Sequence, residues 1–110
     1  MTDLERVELD IKTYTEQGAL AEMLFTLEKN EEYKKLFTEA YLQDYALGML
    51  SFKGSMQAQE PKVQAHADYQ LAGVAGLQQF LANVRSTGLV AKEKLEQAKQ
   101  ERELILTGKE

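Results

Sequence analysis

Residues Pro61–Leu106 read PKVQAHADYQLAGVAGLQQFLANVRSTGLVAKEKLEQAKQERELIL, and their spacing decides the fold. Stepping from Val63 alternately by four and three residues gives Val63, Ala67, Gln70, Val74, Leu77, Leu81, Val84, Gly88, Ala91, Leu95, Ala98, Arg102 and Ile105. Apart from Gln70 and Arg102, every one of these is apolar or Gly. A helix of about 3.6 residues per turn brings such positions to one side. Held over this length, the pattern predicts a single helix over 61–106 that packs lengthwise through a seam. A helix of ~45 residues spans about 68 Å. The rest of so short a chain is expected to leave part of that seam for another molecule.

This helix divides by composition. Residues 63–91 hold only Asp68 and Arg85 as formal charges, whereas 92–110 are strongly charged, with Lys92–Glu96 and Lys99–Glu103 spaced four apart. The charged end reads as a solvated helix that stops at Thr107-Gly108. Ala72, Gly73, Ala75, Gly76, Ala82 and Gly88 are small enough for another backbone to come near.

Upstream, Lys53–Glu60 (KGSMQAQE) is a loop, closed by Pro61 at the first turn of the long helix. Before it, Asn30 is an N-cap residue followed by Glu31 and Glu32. A helix is predicted over 31–52. It holds Tyr33, Phe37, Tyr41, Tyr45 and Phe52, and its last turns are apolar nearly all round. Such a helix is expected to be buried on more than one side. The first helix, over 2–28, opens on the capping box Thr2-x-x-Glu5. Leu4, Val7, Ile11, Tyr14, Gly18, Ala21 and Phe25 repeat the seam spacing, and Leu20, Leu24 and Leu27 widen it. Gly18 marks a bend or a close neighbour.

The predicted fold is therefore all-α, a single domain over 1–110. It has three helices in a hairpin-like bundle with one long C-terminal helix. Helices one and two are expected against the first half of helix three, with its charged end projecting or pairing.

The composition narrows function more by exclusion than by signature. There is no Cys, so disulfides and thiolate metal sites are out. The opening MTDLERVELD is not built like a signal peptide, and no apolar run approaches the ~20 residues that cross a bilayer. The net charge of −5 is uneven: residues 1–32 carry nine acids and three bases, 33–110 nine acids and ten bases. No basic stripe suits a phosphate backbone, so direct nucleic-acid binding is not expected.

No chemistry is spelled out either. His66 and Asp68 invite a metal or acid–base role, but there is one His and no ligand spacing, and residues two apart diverge on a helix. A surface or cap role is the plainer reading. Glu31–Glu32 suits a helix N-terminus, while Glu39 and Asp44 are ordinary helix residues. Ser51, Ser55 and Ser86 sit in no nucleophile elbow. Gly73-x-x-Gly76 lies inside a helix, away from a phosphate loop's strand-turn-helix setting. No enzyme, cofactor or metal is expected.

An acidic first helix is followed by LEKNEEYKKLFTEAYLQDYA. A Met-Gln loop, GSMQAQ, then leads into LAGVAGLQQFLANV and a charged end, AKEKLEQAKQERE. This order of blocks resembles short all-helical proteins encoded by tailed bacteriophages among genes for virion structure and assembly. The resemblance covers Leu27–Glu103 and implies a role in particles or their assembly, in the host cytoplasm or the virion. The expected function is that of a non-enzymatic virion structural or morphogenesis protein. It would act as a homo-oligomer or on larger virion proteins. Candidate interface residues are Tyr33, Phe37, Tyr41, Val74, Leu77, Leu81, Val84 and Leu95. The alternative is a phage-encoded module that inhibits or redirects a host protein, with the acidic first helix as its decoy surface.

Overall fold

The computed structural model describes residues 1–108, and the described residues are all-α. Helix α1 is Asp3–Glu28 and α2 is Glu31–Tyr33. A π-helical segment, Lys34–Tyr45, continues directly into α3, Ala46–Lys53. A 3-10 turn at Met56–Ala58 precedes α4, Pro61–Thr107, which is one unbroken helix of 47 residues.

Local chemistry accounts for the boundaries. The capping box forms at the start of α1: the Glu5 amide donates to Thr2 Oγ1 at 3.1 Å and the Thr2 amide to Glu5 Oε1 at 3.4 Å. Asn30 Oδ1 accepts from the Tyr33 amide at 2.9 Å and so restarts the helix after Lys29. Asn30→Ala should destabilise the protein by about 1 kcal/mol. A urea titration followed by far-ultraviolet circular dichroism measures this, and an unchanged midpoint would deny the cap its role. Gly108, at φ 69°, ends α4 in the left-handed region, its amide donating to Ile105 O at 3.3 Å.

The chain forms two compact units, Met1–Phe25 with Asn83 onward, and Thr26–Ala82. Each is an antiparallel helix pair to which α4 contributes one partner.

In the first unit α1 lies along the second half of α4. Near one end Arg6 Nη2 donates to Glu101 Oε1 at 2.5 Å, and further along Ala21 sits beside Gly88. Val7 and Leu24 from α1, with Gly88, Ala91 and Ala98 from α4, make up the buried core. A Cβ at Gly88 would overlap that of Ala21, so the helices touch backbone to backbone there. No atom of a neighbour lies near a Cβ built at Gly18, and α1 runs through that residue without a break.

This pairing corrects the expected one. Helix α1, expected against the first half of α4, lies on its second half, so the charged end pairs rather than projects. Lys92, Glu93, Lys94, Glu96 and Lys99 are exposed on its outer faces, while Ala91 and Ala98 between them are buried. Charge density on the outside of a helix says nothing about its seam.

In the second unit, Glu31–Lys53 lies along the first half of α4. Tyr45 Oη donates to Gln70 Oε1 at 3.0 Å, and Lys53 Nζ pairs with Asp68 Oδ1 at 2.5 Å. The connection is held by amides: Gln64 Nε2 donates to Ala58 O at 2.6 Å and Lys53 O at 2.8 Å, and Gln59 Nε2 to Ser55 O at 2.6 Å. Ala58 is buried beneath them.

The π-helical winding explains the aromatic spacing. The half-buried positions run Tyr33–Lys34, Tyr41–Leu42 and Ala46, with Phe37 at 38% exposure in the gap between the first two. Three turns thus take thirteen residues, close to the about 4.4 per turn of i→i+5 bonding and well above the α-helical value. From Ala46 the row tightens to Met49 and Lys53, the α-helical step. Rings one turn apart stack, Tyr33 on Phe37 at 5.2 Å and Tyr41 on Tyr45 at 5.7 Å between centroids.

Candidate interaction surface

All thirteen seam positions of α4 are buried or half-buried, and nearly every other residue of the helix is exposed. The expectation that the seam outruns its own chain is thereby corrected. The 26 residues of α1 and the stretch Glu31–Lys53 together match the length of α4, and each takes one half of it.

The candidate interface residues fall mostly on this internal seam. Val74 and Leu81 are buried against their own chain, while Leu77, Val84, Leu95, Tyr33 and Tyr41 are half-buried. Phe37 is 38% exposed.

What is left open lies on the other helix faces. On α1, Leu9, Leu20, Met23 and Leu27 are exposed on the side opposite Val7 and Ile11. Phe25, placed in the seam by its spacing, is exposed, and Leu24 is buried in its stead. The last turns of α3 were expected to be buried on several sides, yet Leu47, Leu50 and Phe52 all meet solvent. On α4, Tyr69 is 75% and Phe80 61% exposed. The signal for these was in the sequence as second rows at the same three-four spacing, Leu20–Met23–Leu27 and Tyr69–Gly73–Gly76–Phe80.

The polar candidates are dispersed. Asp68 is engaged by Lys53, and His66, two residues before it, is exposed on a different face of the helix. Ser55 Oγ donates to Phe52 O at 2.7 Å, closing the end of α3. Lys34 pairs with Glu31 at 3.4 Å, and Glu39 and Asp44 are exposed. Among the described residues, no group of three or more His, Cys, Asp or Glu side chains is placed to hold a metal ion. The Arg6 pKa lies above its ordinary value. The hydrogen bond that its guanidinium donates to Glu101 and the charge of that carboxylate raise it, with Asp10 and Asp3 adding to the effect.

No protein-family model, curated protein or solved structure matches the chain.

The candidate site that the described residues offer is a surface. Large apolar side chains stand on helices already packed on their other side, so a partner would meet a preformed face. Among the described residues no helix is long and apolar enough to cross a membrane.

Proposed function

We propose that the protein is a non-enzymatic assembly component that works by packing helix on helix against copies of itself or a larger partner. The setting we propose is bacteriophage virion structure or morphogenesis, on the strength of the block order from Leu27 to Glu103. One observation carries the assembly reading. Each helix has a second apolar row turned away from its own partner, with Leu20 and Met23 on α1, Leu47 and Leu50 on α3, and Tyr69 and Phe80 on α4. Two-helix pairs bury one stripe of each helix, and bundles of more helices are the stable way to bury a second.

Light scattering over a dilution series, together with protein analysis of purified particles, tests this. Self-association or a defined copy number in particles is the expected result. A protein that stays monomeric at high concentration and is absent from particles overturns it.

A second reading, a module that inhibits or redirects a host protein, draws on α1 itself. Leu20 and Met23 are exposed beside Glu16, a face suited to a basic, apolar helix. Absence from particles combined with stoichiometric co-purification of one host protein would favour it.

A further inference from the structure

Within the unit Thr26–Ala82, the stretch Glu31–Lys53 has to present one face to α4 along its whole length. It does so at Tyr33–Lys34, Phe37, Tyr41–Leu42, Ala46, Met49 and Lys53, one position per turn. From Tyr33 to Lys53 that is twenty residues in five turns, where an α-helix takes about eighteen. We propose that Lys34–Tyr45 is a phase-correcting joint. It holds two residues more than α winding can use there, and docking on α4 imposes its π winding. The joint is a property of one chain and stands apart from the assembly reading.

Wound as α throughout, twenty residues overshoot five turns by about 200°. The faces at the two ends would then point to opposite sides. Carried forward from Tyr33 and Phe37 at the α-helical step, the inward row reaches Tyr41, Asp44, Gly48 and Ser51. That register sets a carboxylate and a hydroxyl against α4 and turns Ala46 and Met49 outward. Carried back from Lys53, Met49 and Ala46, the row reaches Leu42, Glu39 and Lys35. That one sets two charges against α4 and turns Tyr33 and Phe37 away. Either places charge in a packed face, which costs more than it gains. Only the wider winding keeps the apolar side chains of both ends inward.

Nothing in the segment itself asks for that winding. KKLFTEAYLQDY has no Gly or Pro, and Lys, Leu, Glu, Ala and Gln are good α-helix formers. None of its side chains is buried. Its ties run to α4: Tyr45 Oη donates to Gln70 Oε1 at 3.0 Å, and Gln78 Nε2 to Leu42 O at 3.5 Å. Both flanks are fixed, by the Asn30 cap at the start and by the contacts of Lys53 with Asp68 and Gln64 at the end. Surplus residues trapped between two fixed α-helical faces have no other way to be absorbed than a wider turn.

Deleting Gln43 and Asp44, both exposed, tests this. In the shortened chain Tyr33, Phe37, Tyr41, Ala46, Met49 and Lys53 follow at steps of four, four, three, three and four, which is eighteen residues in five turns. The variant should wind as α from Glu31 to Lys53, with backbone contacts four residues apart by nuclear magnetic resonance. It should keep a cooperative urea transition near that of the wild type. Deleting Ala75 and Gly76 from α4 removes two exposed residues from an ordinary α-helix and turns Val63–Val74 about 200° away from Leu81. That control should lose the transition.

Loss of the transition on deleting Gln43 and Asp44 overturns the proposal, since the segment then has no residues to spare. Equal tolerance of both deletions overturns it as well, because the phase of the seam would not matter. So does a shortened chain that folds with the segment still π-wound. A wild type whose backbone contacts run four residues apart through Lys34–Tyr45 also ends it.

Discussion

Leu81→Glu should cost the protein about 3–5 kcal/mol, whereas Phe80→Glu, one residue earlier, should change stability by no more than about 0.5 kcal/mol. Leu81 is 8% exposed and Phe80 61%. The first substitution removes an apolar side chain from the seam and forces a carboxylate into a packed face. The second only places a charge in water. Since small domains have about 5–15 kcal/mol in all, the Leu81 variant would lose much of its helicity or unfold at a markedly lower urea concentration. Lys99→Glu, on an exposed face of the charged end, serves as a remote control and should lie close to wild type. If Leu81→Glu and Phe80→Glu shift the urea midpoint equally, the face assigned to the seam is wrong.

Gly88→Ala should destabilise the first unit, although the same change in an open helix position is favourable. At Gly48, where a Cβ meets nothing within 4 Å, Ala should add about 0.5–1 kcal/mol through helix propensity and reduced unfolded-state freedom. At Gly88 the new Cβ would coincide with the Ala21 methyl, which has no rotamer by which to move aside. The helices must separate, and overpacking of this kind costs about 1–3 kcal/mol. The remedy is specific. Ala21→Gly alone weakens α1 by about 1 kcal/mol, yet in combination with Gly88→Ala it should restore stability, a coupling of about 1–3 kcal/mol in a double-mutant cycle. Gly88→Ala raising the melting temperature as Gly48→Ala does would refute the close approach.

The seam of α4 was readable because an apolar side chain every three or four residues has one geometric meaning over so long a run. All its positions from Val63 to Ile105 face inward. Helix ends were equally legible at Thr2, Asn30, Pro61 and Gly108, where the capping atoms are encoded locally. Three features were not. Which half of α4 receives α1 depends on register between residues such as Arg6 and Glu101, and nothing in a single helix's periodicity carries that. The π-helical winding escaped because aromatics four apart were read at the α-helical pitch, which misplaces the inward face from Phe37 to Ala46. The exposed row on α1 was absorbed into a widened seam, since Leu20 and Leu24 look alike in sequence and differ only in what lies opposite them.

The contacts of the two units bridge very different lengths of chain. Those in Thr26–Ala82 span 11 residues from Lys53 to Gln64, 25 from Tyr45 to Gln70 and 36 from Leu42 to Gln78, whereas Arg6 and Glu101 are 95 apart. Closing a 95-residue loop rather than a 25-residue one costs about 1.2 kcal/mol more in entropy. During translation the middle of the chain can therefore dock as soon as it clears the ribosome. Helix α1, though made before that middle stretch, must wait until the chain around Glu101 has emerged before it finds its mate.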